Sequence, residues 1–359
     1  MIYLLGSFLI LNILLYLTRH KSPKLIKNKS CKYAILIPAK DESLVIEKTL
    51  LSIQKENKDM SNTYVIIEDK KDPTYKIAKK YKANVYIRKT NIKTKGGALD
   101  ECLKSIANKD YDLYFILDAD NLVTKDYFKK MLKHYKDGYD VVMSYRIPTN
   151  PVNWVSIDTG MLFSSHFNLL NGYRKIFNLE PISYGSGQII SAKIIKELKG
   201  FPFYSITEDY EFSIYLEENH IRCINSYIPY YDEQPTSIKE SISQRTRWIR
   251  GVMNNKYHRR TLNKTIWDLA VLNLVLILIY LIGSLFIYYK YLGIIFTYLL
   301  IVLISIFILI LDNNRIKLSF KKKLLFIFTN PIFLFTYIFS YIKALKNKNL
   351  AWYKTKHKG

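Results

Sequence analysis

Residues 113–120 read LYFILDAD, five apolar residues followed by two aspartates that are separated by one alanine. A short apolar run of this kind predicts a buried strand. Two earlier runs have the same form, YAILIP at 33–38 and YVII at 64–67, and Asp69 follows the second of them. Helical patterns lie between these strands, which predicts an α/β fold around a largely parallel sheet. Ligands bind such sheets beyond the carboxyl ends of the strands, where these aspartates stand.

The chain is strongly basic. Its 359 residues include 54 Lys and Arg against 30 Asp and Glu, a net charge of +24. Such a balance favours an anionic partner: nucleic acid, anionic lipid or a phosphorylated substrate. The excess charge gathers beside apolar runs, so anionic lipid explains it and no nucleic-acid partner is expected. The three cysteines are scattered without CxxC spacing, which argues against a thiolate metal site and a disulfide framework.

Apolar residues concentrate at the two ends of the chain, in runs at 1–17, 266–289, 291–311 and 324–342. Runs approaching about 20 residues can cross a bilayer as helices. The first run precedes a basic flank and lacks the features of a cleaved signal peptide, so it predicts a retained anchor with a cytoplasmic basic side. A buried core helix is the alternative. Asn330-Pro331 interrupts the last run, which favours a re-entrant or interfacial segment there.

These patterns divide the chain into five predicted segments. They are an N-terminal transmembrane anchor (1–18), an α/β domain (31–236), a basic interfacial helix (237–264), C-terminal membrane segments (266–345) and a basic tail (346–359). Basic helices beside membrane segments commonly lie on the membrane surface. The sequence therefore predicts an integral membrane protein whose α/β domain faces the cytosol.

Asp118 and Asp120 are candidate metal ligands. Spaced by one residue at a strand end, their carboxylates lie near a common point, and the small Ala119 leaves room for a nucleotide. Carboxylate oxygens suit Mg²⁺ or Mn²⁺, and such a cation neutralises charge on a departing diphosphate. Asp118 also suits a ribose contact. Asp69 suits a uracil N–H, although a solvated turn explains its charged surroundings equally well.

Two helix starts carry further candidates. Lys95 and Gly96 open one helix, where glycine allows close backbone approach and the helix N-terminus favours phosphate; a plain helix start is the alternative. The triplet Thr207-Glu208-Asp209 opens another. Carboxylates there serve as caps or as a general base that deprotonates an acceptor hydroxyl. We take Asp209 as the base and keep Glu208 as the second catalytic candidate.

Residues 244–248 read QRTRW and lie in the predicted basic helix. Gln244, Arg247 and Trp248 share one face by their i, i+3, i+4 spacing. Arg247 suits a bidentate clamp on diphosphate, and Trp248 suits stacking on a sugar. The alternative is an interfacial helix with an aromatic anchor.

Together these patterns resemble the D, DxD, TED and QxxRW signature of membrane-bound family 2 glycosyltransferases. That group includes the synthases of cellulose, chitin, hyaluronan and poly-N-acetylglucosamine, and ceramide glucosyltransferase. Four further stretches look like the family's IPAxxE opening, its GKGxAL stretch, its GTG acceptor loop and its segment before QxxRW: IPAKDE (37–42), KGGAL (95–99), GSG (185–187) and YDEQP (231–235). The resemblance covers roughly residues 33–255.

The resemblance implies a GT-A fold, a UDP-sugar donor, Mg²⁺ or Mn²⁺, and inversion to a β-linkage. It implies that donor binding involves Pro38, Ala39, Glu42, Asp69, Lys95, Gly96, Asp118, Gln244, Arg247 and Trp248. It implies that Ser186, Gly187 and Trp248 contact the acceptor and that Asp118 and Asp120 bind the metal. It implies that Asp209 is the general base. The sequence departs from the family pattern in two places, which bear on the preferred nucleobase of the donor and on the identity of the acceptor. The stretch Glu68–Asp72 is one residue shorter than usual, and Gln188 replaces the usual phenylalanine after the glycine loop.

Three functions remain open at this point. The first is extension of a cell-surface polysaccharide at the cytosolic face of the lipid bilayer; three or four spans are few for a channel, which would favour a homo-oligomer. The second is a single transfer to a membrane lipid, so the acceptor is a glycan or a lipid. The third is an inactive partner subunit, which predicts missing carboxylates, and none of the expected carboxylates is missing.

Overall fold

A computed structural model describes residues 30–165, 167–168, 171–176, 179–253, 292–312 and 315–346. The predicted anchor at 1–18, the run at 266–289 and the tail after residue 346 lie outside the described residues.

The described elements alternate between strands and helices through the first half of the chain. The strands are β1 (Tyr33–Pro38), β2 (Thr63–Ile67), β3 (Asn84–Ile87), β4 (Leu113–Ile116), β5 (Leu122–Val123), β6 (Val141–Pro148), β7 (Gln188–Ser191) and β8 (Cys223–Asp232). The helices are α1 (Ile46–Glu56), α2 (Thr74–Lys80), α3 (Lys95–Ser105), α4 (Tyr127–Lys136), α5 (Trp154–Ser165), α6 (Asn171–Ile176), α7 (Ala192–Glu197), α8 (Glu208–Glu218), α9 (Ile238–Met253), α10 (Leu292–Asp312) and α11 (Phe320–Lys346).

One sheet contains the eight strands, in the order β3-β2-β1-β4-β7-β6-β8-β5. The predicted α/β fold is confirmed, but the sheet is mixed rather than largely parallel. Strands β1 to β4 pair in parallel, whereas β7 runs antiparallel to both β4 and β6. This direction brings the start of β7 to the end of β4, with Gln188 opposite Ile116. The glycine loop that precedes β7 therefore lies beside the aspartates that follow β4.

Apolar side chains cover both faces of the sheet. One cluster packs strand residues such as Ile35 and Phe115 against Leu50 of α1 and Phe128 of α4. The other face packs against α3, α7 and α8, with Phe212 at its centre. Every residue of β2 and β4 is buried, as expected for strands covered by helices on both faces.

A third apolar cluster joins the α/β domain to the C-terminal helices. It contains Tyr145 of β6, Ile157 of α5, Ile308 of α10 and Phe326 of α11. Within the described ranges, α11 alone is long and apolar enough to cross a membrane; a buried core helix can pass the same test of length and composition. The interruption expected at Pro331 is not seen, since α11 continues through it and Asn330 donates a 2.9 Å hydrogen bond to Ser305 of α10.

Candidate active site

The loop after β4 is fastened to the glycine loop before β7. The backbone N–H of Asp118 donates to Asn121 Oδ1 and to Ser186 Oγ, each at 3.0 Å. Ser186 and Asn121 also bond to each other through their side chains, and both are buried. Ser186 thus fixes the position of Asp118, while its predicted contact with an acceptor stays a prediction.

Gly187 fits its position because of both backbone conformation and space. Its φ of +62° lies in the left-handed region, and a Cβ there would overlap the ring of Tyr230 and the hydroxyl of Ser144. Gly187 is itself buried, so the strands behind the loop enclose it. Its predicted acceptor contact is likewise untested.

Gly187→Ala is expected to destabilise the fold by roughly 2–5 kcal/mol, because left-handed strain and overpacking add. Gly138→Ala is the matched control: its φ is +89°, but its Cβ would meet only the flexible end of Arg222. The control should lose only about 1–2 kcal/mol of backbone strain. Chemical denaturation of both variants measures the difference, and equal losses would show that the contact with Tyr230 does not matter.

Lys95 connects three parts of the site. Its Nζ donates to Asp118 Oδ1 at 2.5 Å and to the carbonyl of Gly185 at 2.7 Å, and it lies 3.8 Å from Glu208 Oε1. Burial lowers the pKa of Lys95, but Asp118, Glu208 and Asp209 outweigh this effect and raise it. The lysine is therefore a stable cation among the carboxylates. It stands at the start of α3, whose first turn Thr94 caps by accepting from Gly97 N–H.

Glu208 and Asp209 begin α8 and face the same cluster. Burial raises the pKa of Glu208 to about 8, with Lys95 opposing this shift and Asp209 adding to it. Burial likewise raises the pKa of Asp209, against the effect of Lys95. Asp209 packs against the glycine loop, since a Cβ on Gly185 would lie 3.3 Å from Asp209 Oδ2. Either carboxyl therefore holds a proton more tightly than an exposed acid does.

Helix α9 brings Arg247 and Trp248 to this cluster. Burial lowers the pKa of Arg247, while the nearby Glu208, Asp118 and Asp209 raise it, so the guanidinium lies within electrostatic range of all three carboxylates. Gly251 allows the close approach of α9 to the start of α8, because a Cβ there would overlap the side chain of Thr207.

Trp248, the residue after Arg247, contacts an aromatic ring of another helix. The ring of Trp248 packs edge-on against Phe163 of α5, with centroids 5.4 Å apart. The amide oxygen of Gln244 is buried and has no hydrogen-bond partner among the described residues. The predicted contact of Gln244 with the donor stays a prediction.

Two residues to which the sequence analysis gave no role join the cluster, Arg146 of β6 and Asp232 at the end of β8. Arg146 forms an ion pair with Asp232 at 3.2 Å, donates to Tyr230 OH at 2.7 Å and lies over the ring of Phe163 at 4.3 Å. Asp232 in turn hydrogen bonds with Asp120. A lone arginine inside the apolar strand VVMSYRIP was the available signal, because a buried charge in a strand requires a partner.

Asp120 is the most perturbed carboxyl of the pair that follows β4. Burial and the adjacent Asp232 and Asp118 raise its pKa well above the ordinary range, and Arg146 opposes them only in part. Like charges crowded in this way favour a bound cation. No group of three His, Cys, Asp or Glu side chains in the described ranges forms a metal cage. Mg²⁺ commonly uses one or two carboxylates plus substrate phosphates, so the donor set of Asp118 and Asp120 fits.

The remaining predicted donor residues lie at the ends of β1 and β2. Pro38 ends β1, and the N–H of Ala39 donates to Ile66 O at 2.8 Å. The N–H of Glu42 donates to Thr74 Oγ1 at 3.0 Å. Asp69 is exposed, and its Oδ1 accepts from the N–H of Lys71 at 2.9 Å, which is the turn-capping alternative noted from the sequence.

Most of the charged residues predicted for the site therefore lie close enough to shift one another's pKa values. These residues are Lys95, Asp118, Asp120, Glu208, Asp209 and Arg247. Gly96 lies next to this group, because a Cβ there would overlap the carbonyl of Phe203 and lie 3.3 Å from Glu208 Cβ. Asp69 stands at a neighbouring strand end instead.

Sequence comparisons relate the chain to glycosyltransferases. Residues 114–311 match the sequence model of a family described as "Glycosyl transferase family group 2". A curated protein of Sulfolobus acidocaldarius, described as a probable glycosyltransferase, is 24% identical over 263 residues, which are 68% of this chain and 55% of that protein. The chain thus spans about half the length of this relative.

The chain is similar to solved structures at low identity. The mannosyltransferase PcManGT from Pyrobaculum calidifontis, in complex with GDP-Man and Mn²⁺, has a TM-score of 0.55 and 14% identity, covering 97% of this chain and 98% of that one. Glucosyl-3-phosphoglycerate synthase from Mycobacterium tuberculosis, in complex with Mn²⁺, UDP and its product, matches at a TM-score of 0.44 and 16% identity, over 62% of this chain and 79% of that one. The likeness to the first supports an α/β fold of the GT-A type.

Proposed function

The chain belongs to glycosyl transferase family group 2, whose model spans more than half of its 359 residues, and on that premise we propose that it transfers sugar from a nucleotide donor to an acceptor hydroxyl and so extends a β-linked polysaccharide. The proposed donor is a UDP-sugar that carries a hexose or N-acetylhexosamine, and the proposed reaction inverts the anomeric centre. The observation that carries the proposal is the convergence of Lys95, Asp118, Asp209 and Arg247 on one cluster.

The leaving diphosphate would lie between two cations of this chain. Lys95 approaches from the start of α3 and Arg247 from α9, and both already face Asp118 and Glu208. Fixed cations aimed at developing negative charge lower the barrier of group transfer, because they need no reorganisation during the reaction. Arg247 adds a planar pair of donors that suits phosphate oxygens.

Asp118 and Asp120 would hold a divalent cation, Mg²⁺ or Mn²⁺, which neutralises charge on the diphosphate when it is bound. The buried Asp232 and the partly buried Arg146 would keep Asp120 in place at this end of the cluster. Asp118 remains held by Lys95 and by the N–H contacts of its loop. These supports fix the carboxylates before any ligand arrives.

Asp209 is the proposed general base. It would take the proton from the acceptor hydroxyl as the oxygen attacks the anomeric carbon from the face opposite the diphosphate. One base and one displacement give inversion, so no nucleophilic residue is needed. The raised pKa of Asp209 suits this work, since a buried carboxylate is a stronger base than an exposed one.

Phe163 and Trp248 would form the acceptor side. Their rings pack edge-on; Phe163 also lies under the guanidinium of Arg146, and Trp248 directly follows Arg247 in α9. Aromatic faces suit the apolar faces of sugars, and a polar handle completes the contact. We place the reaction at the cytosolic face of a membrane, supported by the apolar length of α11 and the lysines at its start.

The acceptor separates the two enzyme hypotheses. Membranes containing the full chain would be incubated with a panel of radiolabelled UDP- and GDP-sugars, because the solved neighbours bind either nucleotide. We expect release of one nucleoside diphosphate and a ladder of β-linked product. A single labelled lipid would favour the alternative of one transfer to a membrane lipid. No turnover with any donor would support the inactive partner subunit.

The rate should fall as the pH is lowered, with its acidic limb above the ordinary pKa of an aspartate, because burial raises the pKa of Asp209. Asp209 acts as an anion, and its raised pKa means that protonation removes the base at a higher pH than for an exposed aspartate. Below this pKa the rate should fall about tenfold per pH unit, and above it the rate should level off. A pH profile of kcat measures this limb. A limb near pH 4 would contradict a buried base.

A further inference from the structure

Helix α9 carries a second arginine whose side chain points away from the cluster. Arg245 is 1% exposed and lies between two rings of α11, 4.5 Å from the Phe333 centroid and 4.3 Å from the Tyr337 centroid. Its Nη2 donates to Thr336 Oγ1 at 2.7 Å, and its Nε donates to Ser241 O at 3.2 Å. This single side chain therefore ties α9 to a full turn of α11.

Burying this cation is costly, and simple helix packing does not require it. Among the described residues no carboxylate lies within ion-pair distance of Arg245, and burial lowers its pKa. Two aromatic faces and backbone or hydroxyl acceptors offset the lost hydration. A leucine or methionine would fill the same volume without that cost. The arginine thus supplies a directional attachment that an apolar side chain would not.

The attachment fixes the rotation of α9 about its axis. Arg245 and Arg247 are two residues apart, which places them about 200° apart around the helix. Further contacts lie on the α11 side: Thr246 Oγ1 donates to Ser340 O at 3.4 Å, and Arg250 Nη2 donates to Lys343 O at 3.5 Å. A rotation that withdrew Arg245 from its two rings would swing Arg247 away from Asp118 and Asp209.

We propose that Arg245 is a positioning residue of the transferase site, which holds Arg247 in register with the diphosphate by fastening α9 to α11. The proposal rests on the proposed function, because it assumes that Arg247 binds the diphosphate. It makes α11 a structural part of the site rather than a separate anchor. Displacement of α11 would then weaken donor binding through α9.

The test compares the affinities of UDP and UMP for the full chain in the presence of Mn²⁺. UMP lacks the second phosphate, so a loss confined to UDP reports on the diphosphate clamp. Arg247→Met should weaken UDP roughly 10- to 100-fold and leave UMP nearly unchanged, as expected for a lost charged hydrogen bond. Arg245→Met should show the same selective loss at roughly three- to tenfold, and Arg245→Lys should recover part of it.

A double variant decides whether Arg245 acts through Arg247. If it does, Arg245→Met adds little to the loss in Arg247→Met, because coupled residues are not additive. Arg222→Met is the matched control: Arg222 also lies over a ring, 4.7 Å from the Tyr139 centroid, but belongs to no part of the cluster, and its UDP affinity should stay at the wild-type value.

The outcomes distinguish failure of the proposed function from failure of the positioning role of Arg245. If Arg247→Met leaves UDP binding unchanged, the proposed function itself is wrong. If Arg247→Met loses UDP selectively and Arg245→Met does not, only the positioning role is overturned. Equal losses of UDP and UMP in Arg245→Met, with a lower melting temperature, would show a general structural role and would also overturn it.

Discussion

Asp209→Asn is expected to abolish sugar transfer while donor binding persists. Asparagine keeps the shape of the side chain and its place beside Gly185, but it accepts no proton. General bases contribute about 10²- to 10⁴-fold, so kcat should fall by a factor in that range. The dissociation constant of the donor nucleotide should change little, because the lost step follows binding. Single-turnover transfer of labelled sugar and nucleotide titration measure the two quantities.

Glu218→Gln is the matched control for this variant. Glu218 ends the same helix, is exposed and lies at the far end from the cluster, so its transfer rate should equal that of the wild type. Glu208→Gln separates the two adjacent carboxyls. If Glu208→Gln loses the rate and Asp209→Asn keeps it, Glu208 is the base and the assignment of Asp209 is wrong.

Asp120→Asn is expected to remove cation binding and, with it, most of the activity. The variant retains hydrogen bonding to Asp232 but removes one of the negative charges that crowd this end of the site. Because the cation supplies several kcal/mol of charge stabilisation, we expect the rate to fall roughly 100-fold or more. Electron paramagnetic resonance of free Mn²⁺ in the presence of protein and UDP measures the affinity independently of turnover.

Asp110→Asn is the control for the charge change. Asp110 is exposed, remote from the cluster and has a φ of +49°, a conformation that asparagine also adopts. Its Mn²⁺ affinity should match the wild type. Unchanged Mn²⁺ binding in Asp120→Asn would place the cation elsewhere and would remove Asp120 from the site.

Much of the site was predictable because carboxylates follow apolar runs. The run at 113–117 ends in Asp118, and the sheet brings this end beside the ends of β1 and β2. Helix starts such as Lys95 and Glu208 were visible for the same reason, since their side chains stand at the boundary between two periodic patterns. Spacing along the chain was thus sufficient to predict which side chains lie together wherever parallel strands end at the same edge of the sheet.

The mixed sheet was not predictable from local patterns. Strand β7 has only four residues, and its antiparallel pairing with β4 joins residues about 75 positions apart, which no hairpin signal announces. The roles of Arg146 and Asp232 were not predicted for a related reason. Each is the single charged residue of its strand, and their pairing appears only when β6 and β8 lie side by side.

The surroundings of the basic residues in helix α9 were also not predictable from the sequence. Its basic composition predicted a helix on the membrane surface, yet Arg245 and Arg250 are buried against α11. Charge along a sequence does not reveal which cations meet aromatic rings and carbonyl groups in a neighbouring helix. Helical spacing predicted that Gln244, Arg247 and Trp248 share one face. That the opposite face packs against α11 could be learned only from the tertiary structure.

Calorimetric titration of UDP and GDP into the full chain, with and without Mn²⁺, tests most directly whether one cleft holds a nucleotide diphosphate between Asp120 and Arg247. We predict that one of the two nucleotides binds, that its binding requires Mn²⁺, and that Asp120→Asn and Arg247→Met each weaken it at least about tenfold. Binding that is equally tight in the wild type and in both variants would contradict a shared cleft.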